Sequence, residues 1–348
     1  MIQALFSFSS GQRRFYVITL LAVCLLLLPV AGIRAQEQQD PDDVLKVDTN
    51  LVQLNVGVVD RQGRAILNLS RNDFVVYEND VRQTIQNFEP TTTPFSLVLM
   101  LDMSGSTLGF RQPLKQSALR FIDALAPEDR VAVVTFNDKV ELLQKFTSDR
   151  RKIAGAIDIA EGKGQTNLYN ALRFSMRQLA GEGTRRKAII VLTDGLDTDM
   201  RRADREAAAS ANTNEAAIAS IKPDASASLN AVLNTADRMG VTVYPLALPS
   251  GNAKLLPFPD PQQIAMYTAA RARLQTMADR TGGRLREIRR LEDMGRLYAE
   301  VAAELRTLYS LTYQPSGGSK RDGSWRAIRI EVTRPEMIAS TKSGYIAR

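Results

Sequence analysis

The sequence contains no histidine and only one cysteine, Cys24, among its 348 residues. Without histidine the chain cannot form a Ser-His-Asp triad, a Cys-His protease pair or an HExxH zinc centre. Because Cys24 lies inside an apolar N-terminal run, the rest of the chain has no disulfide, thiolate metal site or cysteine nucleophile. We therefore expect no enzyme activity, no catalytic residue and no organic cofactor.

Aromatic residues are also scarce, at 6% of the chain, and no basic run is interleaved with them. The formal net charge is +7, from 45 basic and 38 acidic residues, and the N-terminal Arg13, Arg14 and Arg34 contribute to this excess. This pattern lacks the basic, aromatic-rich surface of nucleic-acid-binding proteins, so we expect no nucleic-acid partner.

Residues 1–35 have the pattern of a signal peptide. Arg13 and Arg14 precede an apolar stretch at 15–33, and Ala35 is a small residue before a possible cleavage site. The stretch is also long enough to cross a bilayer, so an uncleaved inner-membrane anchor is the alternative. Both interpretations predict a secreted, periplasmic or envelope location. Residues 36–46 are polar and acidic, which predicts a flexible lead-in.

Two segments are predicted to be rich in β-strands. In residues 47–94, apolar and polar side chains alternate from Leu51 to Val59, and a similar alternation occurs in residues 309–348. Neither segment has enough strands to bury a core alone, so we expect the two to form one small β-rich module.

Residues 95–308 instead alternate between apolar strands and amphipathic helices, which is typical of a parallel α/β sheet. The predicted fold class is α/β, with a doubly wound, mainly parallel sheet and helices on both faces. Ser148 is the expected N-cap of one helix. The alanine-rich segment 200–223 and the proline-rich segment 249–261 give no clear pattern.

Five oxygen-bearing residues are placed to meet at one edge of this sheet. A buried strand ends in Asp102, followed by Ser104 and Ser106, and a later buried strand ends in Asp194. Thr166 lies in a glycine-rich loop before a helix. Because ligands of such sheets bind beyond the carboxyl ends of the strands, we expect the five side chains to converge.

Hard oxygen donors favour Mg²⁺, with Ca²⁺ or Mn²⁺ as alternatives, over zinc or copper. Only two of the donors are acids, so a divalent cation there would keep part of its positive charge. This predicts that the metal captures a carboxylate from outside the chain.

The pattern Asp102-x-Ser104-x-Ser106, with Thr166 and then Asp194, resembles the metal-ion-dependent adhesion site of von Willebrand factor A domains. The resemblance covers about residues 95–310 and implies direct metal binding by Ser104, Ser106 and Thr166. It also implies that Asp102 and Asp194 act largely through water, and that the last helix can shift when the site closes. In the flanking segments, Asp60-Arg61-Gln62-Gly63-Arg64 and the closing Lys342-Ser343-Gly344-Tyr345 resemble motifs of exported A-domain proteins of Acidobacteria.

The expected function is therefore metal-dependent capture of an acidic group on a protein partner. A non-catalytic scaffold subunit of an envelope or secreted complex is the alternative. A metal-dependent hydrolase is disfavoured, because haloacid-dehalogenase-type phosphatases need a second acid where this chain has Ser104. The cluster Arg284, Arg286, Arg289 and Arg290 could meet an acidic surface, although a solvated face is the favoured interpretation.

Overall fold

The structure is a computed structural model that describes residues 51–183, 185–255, 257–316 and 322–347. The predicted signal peptide or anchor and the predicted lead-in lie outside these residues. Within the described ranges, no helix is long and apolar enough to cross a membrane.

Fourteen strands and eight α-helices are found in the described part of the chain. The strands are β1 (Val52–Asp60), β2 (Phe74–Glu78), β3 (Val81–Gln83), β4 (Ile85–Glu89), β5 (Phe95–Asp102), β6 (Arg130–Phe136), β7 (Val140–Thr147), β8 (Arg186–Thr193), β9 (Val241–Ala247), β10 (Arg286–Glu287), β11 (Leu308–Tyr313), β12 (Trp325–Val332), β13 (Met337–Ser340) and β14 (Gly344–Ile346). The helices are α1 (Arg111–Ala124), α2 (Arg150–Asp158), α3 (Leu168–Ala180), α4 (Thr198–Ala207), α5 (Asn214–Ser220), α6 (Ala227–Met239), α7 (Pro261–Thr281) and α8 (Met294–Leu305).

The central sheet has the strand order β10-β9-β8-β5-β6-β7. All neighbouring pairs are parallel except β6 and β7. Every residue of β5 is buried, because helices cover both faces of the sheet. Side chains such as Leu99 pack with α1, α2 and α8, whereas side chains such as Met100 pack with α3, α6 and α7. The predicted doubly wound α/β fold is confirmed.

The segments before and after this domain together form a β-rich module, as predicted. One of its sheets has the order β13-β1-β11-β4, and the other has the order β14-β12-β2-β3. Each of the two sheets combines strands from both ends of the described chain. Leu54, Val56, Val76 and Tyr309 share the apolar cluster at the core of the module. The exact residue limits assigned to the domains above stay a prediction.

Buried polar contacts join the module to the α/β domain. The Arg186 guanidinium donates to the carbonyl oxygens of Thr91, Thr93 and Leu308, at the two points where the chain passes between the parts. The Lys342 ammonium lies 3.0 Å from the Asp237 carboxylate on α6, and both side chains are buried. The module is therefore held to the domain by directional contacts.

The structure changes one detail of the sequence-based prediction and supplies another. The N-cap of α2 is Asp149 rather than Ser148, because the Asp149 carboxylate accepts from two backbone N–H groups of the first turn. The segment 200–223, which showed no clear pattern, contains most of α4 and all of α5.

Candidate metal site

The candidate site lies at the carboxyl edge of the central sheet, where two neighbouring strands end. Asp102 is the last residue of β5, and Asp194 directly follows β8, which pairs with β5. Thr166 lies in the loop before α3. The two acids predicted from the sequence therefore lie at the ends of adjacent strands. Hydrogen bonds connect the loops that carry Ser104, Ser106 and Thr166 to this edge.

Hydrogen bonds fix the loop from Asp102 to Ser106 in a tight turn. The Ser104 N–H donates to Asp102 Oδ1 at 3.0 Å, and the two hydroxyl oxygens of Ser104 and Ser106 are 3.2 Å apart. The buried Thr107 hydroxyl contacts the carbonyl oxygens of Asp102 and Ser104, at 2.8 and 2.9 Å. The two serine hydroxyls are consequently held side by side.

The second acid is held by the strand end and by a later turn. The Thr193 hydroxyl donates to Asp102 Oδ2 at 2.7 Å, which connects the ends of β5 and β8. The Leu196 N–H donates to Asp194 Oδ1 at 3.0 Å, and the Ser250 hydroxyl lies 3.5 Å from Asp194 Oδ2. Both carboxylates are thus oriented by neighbouring donors.

The threonine loop is joined directly to the serine loop. The Gly105 N–H donates to the Gly164 carbonyl at 3.0 Å, and the Gln165 N–H donates to Asp138 Oδ1 at 2.7 Å. Gly164 has φ +97°, and a β-carbon there would lie 2.0 Å from Asp138. The Thr166 N–H donates to the Thr198 hydroxyl at 3.0 Å, which ties the loop to α4. Thr166 is therefore carried to the same sheet edge as the serines.

The two acids are buried and repel each other. Asp102 is 0% exposed and Asp194 is 1% exposed. Burial first, and then the charge of Asp194, raise the pKa of Asp102 to about 7, against the lowering effect of hydrogen bonds from Ser104 and Thr193. In the described residues neither acid forms an ion pair with lysine or arginine. A divalent cation would supply the missing positive charge, so the donor set fits such an ion.

The exposure of the five residues defines how the site meets solvent. Asp102, Ser104, Thr166 and Asp194 are buried, whereas Ser106 is exposed. Among the described residues, no group of three or more His, Cys, Asp or Glu side chains is placed to hold a metal. A cation at this edge would be reached from the Ser106 side.

Sequence reasoning missed four hydroxyl side chains that support the site. Thr107, Thr193, Thr198 and Ser250 orient the two loops and the two acids through the contacts described above. Thr193 stands next to Asp194 in the motif, which is a usable signal. Ser250 lies in a segment without clear pattern, so only the folded structure brings it to Asp194.

Part of the α/β domain matches a known protein family. Residues 97–196 match the family model described as the von Willebrand factor type A domain. The chain therefore contains a von Willebrand factor type A domain, in agreement with the resemblance of its motif. The narrower likeness to exported proteins of Acidobacteria stays a prediction.

Individual relatives are similar over limited lengths. An uncharacterised Synechocystis protein, sll0103, is 35% identical over 108 residues, which cover 29% of this chain and 25% of that protein. The human voltage-dependent calcium channel subunit alpha-2/delta-2 is 27% identical over 128 residues, covering 33% of this chain and 11% of that subunit. A solved von Willebrand factor type A structure from Catenulispora acidiphila has 14% identity and a TM-score of 0.46, covering 86% of this chain and 64% of that one. The chain thus spans about a quarter or less of the curated relatives described here.

Proposed function

We propose that this chain is an exported, non-catalytic binding module that captures an acidic group of a protein partner through a divalent cation. Ser104, Ser106 and Thr166 bind the cation directly, and Asp102 and Asp194 act largely through bound water. Mg²⁺ is the proposed ion, with Ca²⁺ or Mn²⁺ as substitutes. One coordination position is left for the partner's carboxylate.

The observation that carries the proposal is the pair of buried acids beside three hydroxyl groups. Two carboxylates that act largely through bound water offset the charge of a divalent cation only in part, and they are not enough donors to fill its coordination shell. Neutral hydroxyls complete part of the shell without lowering the charge further. The cation therefore retains affinity for one more anionic oxygen, which a partner's Asp or Glu side chain supplies.

The absence of histidine from the whole chain supports a binding role over catalysis, because histidine is the commonest general base near neutral pH. A scaffold subunit of an envelope or secreted complex is the second candidate, and it would use the same metal contact. The proposal also includes attachment to a membrane through residues 15–33. Those residues lie outside the described structure.

Cation binding is tested first by calorimetric titration of the purified protein with Mg²⁺, Ca²⁺ and Mn²⁺. We expect binding to one site, with loss of binding in Asp102→Ala and Ser104→Ala. Ser210→Ala is the control, because Ser210 is exposed and outside the site. Equal binding by all four proteins would refute the proposed site.

Partner capture is tested by a pull-down from envelope extract, with Mg²⁺ or with a chelator. The expected result is a partner that is retained in Mg²⁺ and lost in chelator and in Asp102→Ala. A phosphate-ester or other hydrolase activity that persists through purification and disappears in Asp102→Ala would overturn the non-catalytic assignment.

A further inference from the structure

A cleft of about 1020 Å³ lies at the same end of the α/β domain as the candidate site. Its lining residues include Ile264, Tyr267 and Arg271 of α7 and several residues of the segment 249–254. The segment 285–289 closes one side. None of the five candidate metal ligands is among its lining residues, and its volume is large for a single ion or carboxylate group.

The cleft and the candidate site share the turn at Pro249–Gly251. Ser250 contacts the Asp194 carboxylate, while its neighbours Pro249 and Gly251 line the cleft. Gly251 packs so closely that a β-carbon there would lie 2.3 Å from the Asp194 carbonyl oxygen. A peptide that leaves the cation on the Asp194 side therefore reaches the cleft by crossing one turn of backbone.

The charge in the cleft is predominantly positive. Lys254, Arg271 and Arg289 line it, and Glu287 is the acid among its lining residues. Glu287 is already engaged, since it lies 3.2 Å from Arg271 Nε. Lys254 and Arg289 are exposed and form no ion pair within the described part of the chain. Two cations of the cleft are thus available to an anionic ligand.

Arg271 is the partly buried cation of the cleft. Its Nη2 donates to the Leu248 carbonyl at 3.2 Å, and its Nε faces Glu287. Its Nη1 is buried and has no hydrogen-bond partner among the described residues. Leu248 and Glu287 thus hold the Arg271 guanidinium in place, and its positive charge adds to that of Lys254 and Arg289 in the cleft.

We propose that this cleft binds a second acidic side chain of the same partner, at a fixed distance along the peptide from the carboxylate on the cation. The exposed Lys254 and Arg289 contact that second carboxylate, and the partly buried Arg271 adds its positive charge beside them. The apolar side chains of Ile264 and Tyr267 pack against the intervening peptide. The proposal rests on the proposed function and extends it from a single captured carboxylate to a two-acid motif.

The proposed ligand is a segment of a protein partner rather than a free anion, because one molecule must reach both the cation and the cleft. Linking two weak contacts in one ligand raises the overall affinity when the spacing matches the two sites. The sequence of the partner is consequently expected to carry two acids at one preferred separation.

The test uses a display library of random linear peptides, selected on the purified protein in Mg²⁺ and eluted with chelator. Selected peptides should carry two acidic residues at a constant separation. Synthetic versions of the best peptides, and copies with the second acid changed to its amide, are then measured by calorimetry.

The double variant Lys254→Gln, Arg289→Gln should bind the two-acid peptide roughly threefold to tenfold more weakly and bind Mg²⁺ normally. It should lose the preference for the acid over the amide. Arg290→Gln is the matched control, since Arg290 is a neighbouring exposed arginine that pairs with Asp293 outside the cleft. Arg271→Gln is also expected to weaken binding of the two-acid peptide. The double variant is the main test because Lys254 and Arg289 are exposed, whereas Arg271 is partly buried and its substitution could disturb folding.

Peptides with a single conserved acid, or a double variant that behaves like Arg290→Gln, would overturn the second-acid proposal and leave metal capture intact. If no peptide requires both Mg²⁺ and Asp102, the proposed function fails and this proposal fails with it. The two failures are therefore distinguished by the same selection.

Discussion

At the scale of single residues, Asp102 links protonation to cation binding. Its pKa is raised from 3.8 to about 7 in the cation-free fold. A raised pKa in the fold gives stability that is present at low pH and lost as the pH rises through about 7. A bound cation reverses this dependence, because it requires the ionised carboxylate.

We therefore predict that the thermal stabilisation by Mg²⁺ grows between about pH 5 and pH 8, whereas the chelated protein loses stability over that range. With Mg²⁺ at one hundred times its Kd, the gain at the upper pH should be about 2.7 kcal/mol. Thermal unfolding of wild type, Asp102→Asn and the exposed-acid control Asp199→Asn measures both effects. Asp102→Asn should remove the Mg²⁺ gain; a variant that keeps it would contradict the assignment of Asp102.

A substitution at Gly251 tests how the turn beside Asp194 affects the site, because it leaves all five proposed metal ligands in place. Alanine there would place a β-carbon 2.3 Å from the Asp194 carbonyl oxygen, so the turn or the strand end must move. We expect Gly251→Ala to cost about 1–3 kcal/mol of stability and to weaken Mg²⁺ binding. Gly109→Ala is the control, because a β-carbon at Gly109 meets nothing within 4 Å. Chemical unfolding and calorimetry should separate the two variants; equal results would show that the close contact is unimportant.

At the scale of helices and strands, the sequence predicted the elements that bury apolar side chains in a regular pattern. In β1, Val52, Leu54, Val56 and Val58 alternate with more polar neighbours, and all four are buried. The five site residues were named from the sequence because each follows a strand or precedes a helix at a recognisable spacing. Their convergence on a cation stays a prediction, although the loops that carry them are hydrogen-bonded together.

Helix α4 was not predicted because its buried contact is ionic. Its one buried residue is Asp204, whose carboxylate forms two hydrogen bonds of 2.6 Å with the Arg273 guanidinium on α7. Because its buried residue is charged, and Met200 is the side chain that it packs against the apolar core, the sequence of this helix gives only a weak apolar pattern. The short strands β13 and β14 were missed for a related reason, since backbone pairing with β1 and β12 defines them.

Arg186 is one of the buried residues that join the β-rich module to the α/β domain. It is 2% exposed, and its guanidinium lies 4.0 Å from the centre of the Phe95 ring. Arg186→Met would leave the carbonyl oxygens of Thr91, Thr93 and Leu308 without this donor. We expect a loss of about 3 kcal/mol or more in the free energy of unfolding, because hydrogen bonds from charged donors are strong.

Lys187→Met is the matched control for Arg186→Met, since it removes a positive charge at the next position of β8. Lys187 contacts the Gly183 carbonyl and is less buried. Denaturant unfolding should show a much smaller change for this variant. Comparable losses in the two variants would assign the effect to net charge rather than to the three carbonyl contacts.

At the scale of the whole molecule, the two ends of the described chain depend on each other. β2 pairs with β3 and with β12, and β1 pairs with β11 and with β13. Deleting residues 315–348 removes β12, β13 and β14, so β2 and β3 would remain as an isolated hairpin. Such a hairpin is at best marginally stable in water.

We therefore predict that this deletion unfolds β2 and β3 while the central sheet stays folded. Hydrogen exchange measures both in one sample: amides of β2 should lose protection, whereas those of β5 and β8 serve as the internal control. Mg²⁺ binding should persist, because the five site residues lie in the α/β domain. Protection of β2 at the wild-type level would mean that the N-terminal strands do not need the C-terminal ones, and loss in β5 as well would mean that the module and the domain fold as one unit.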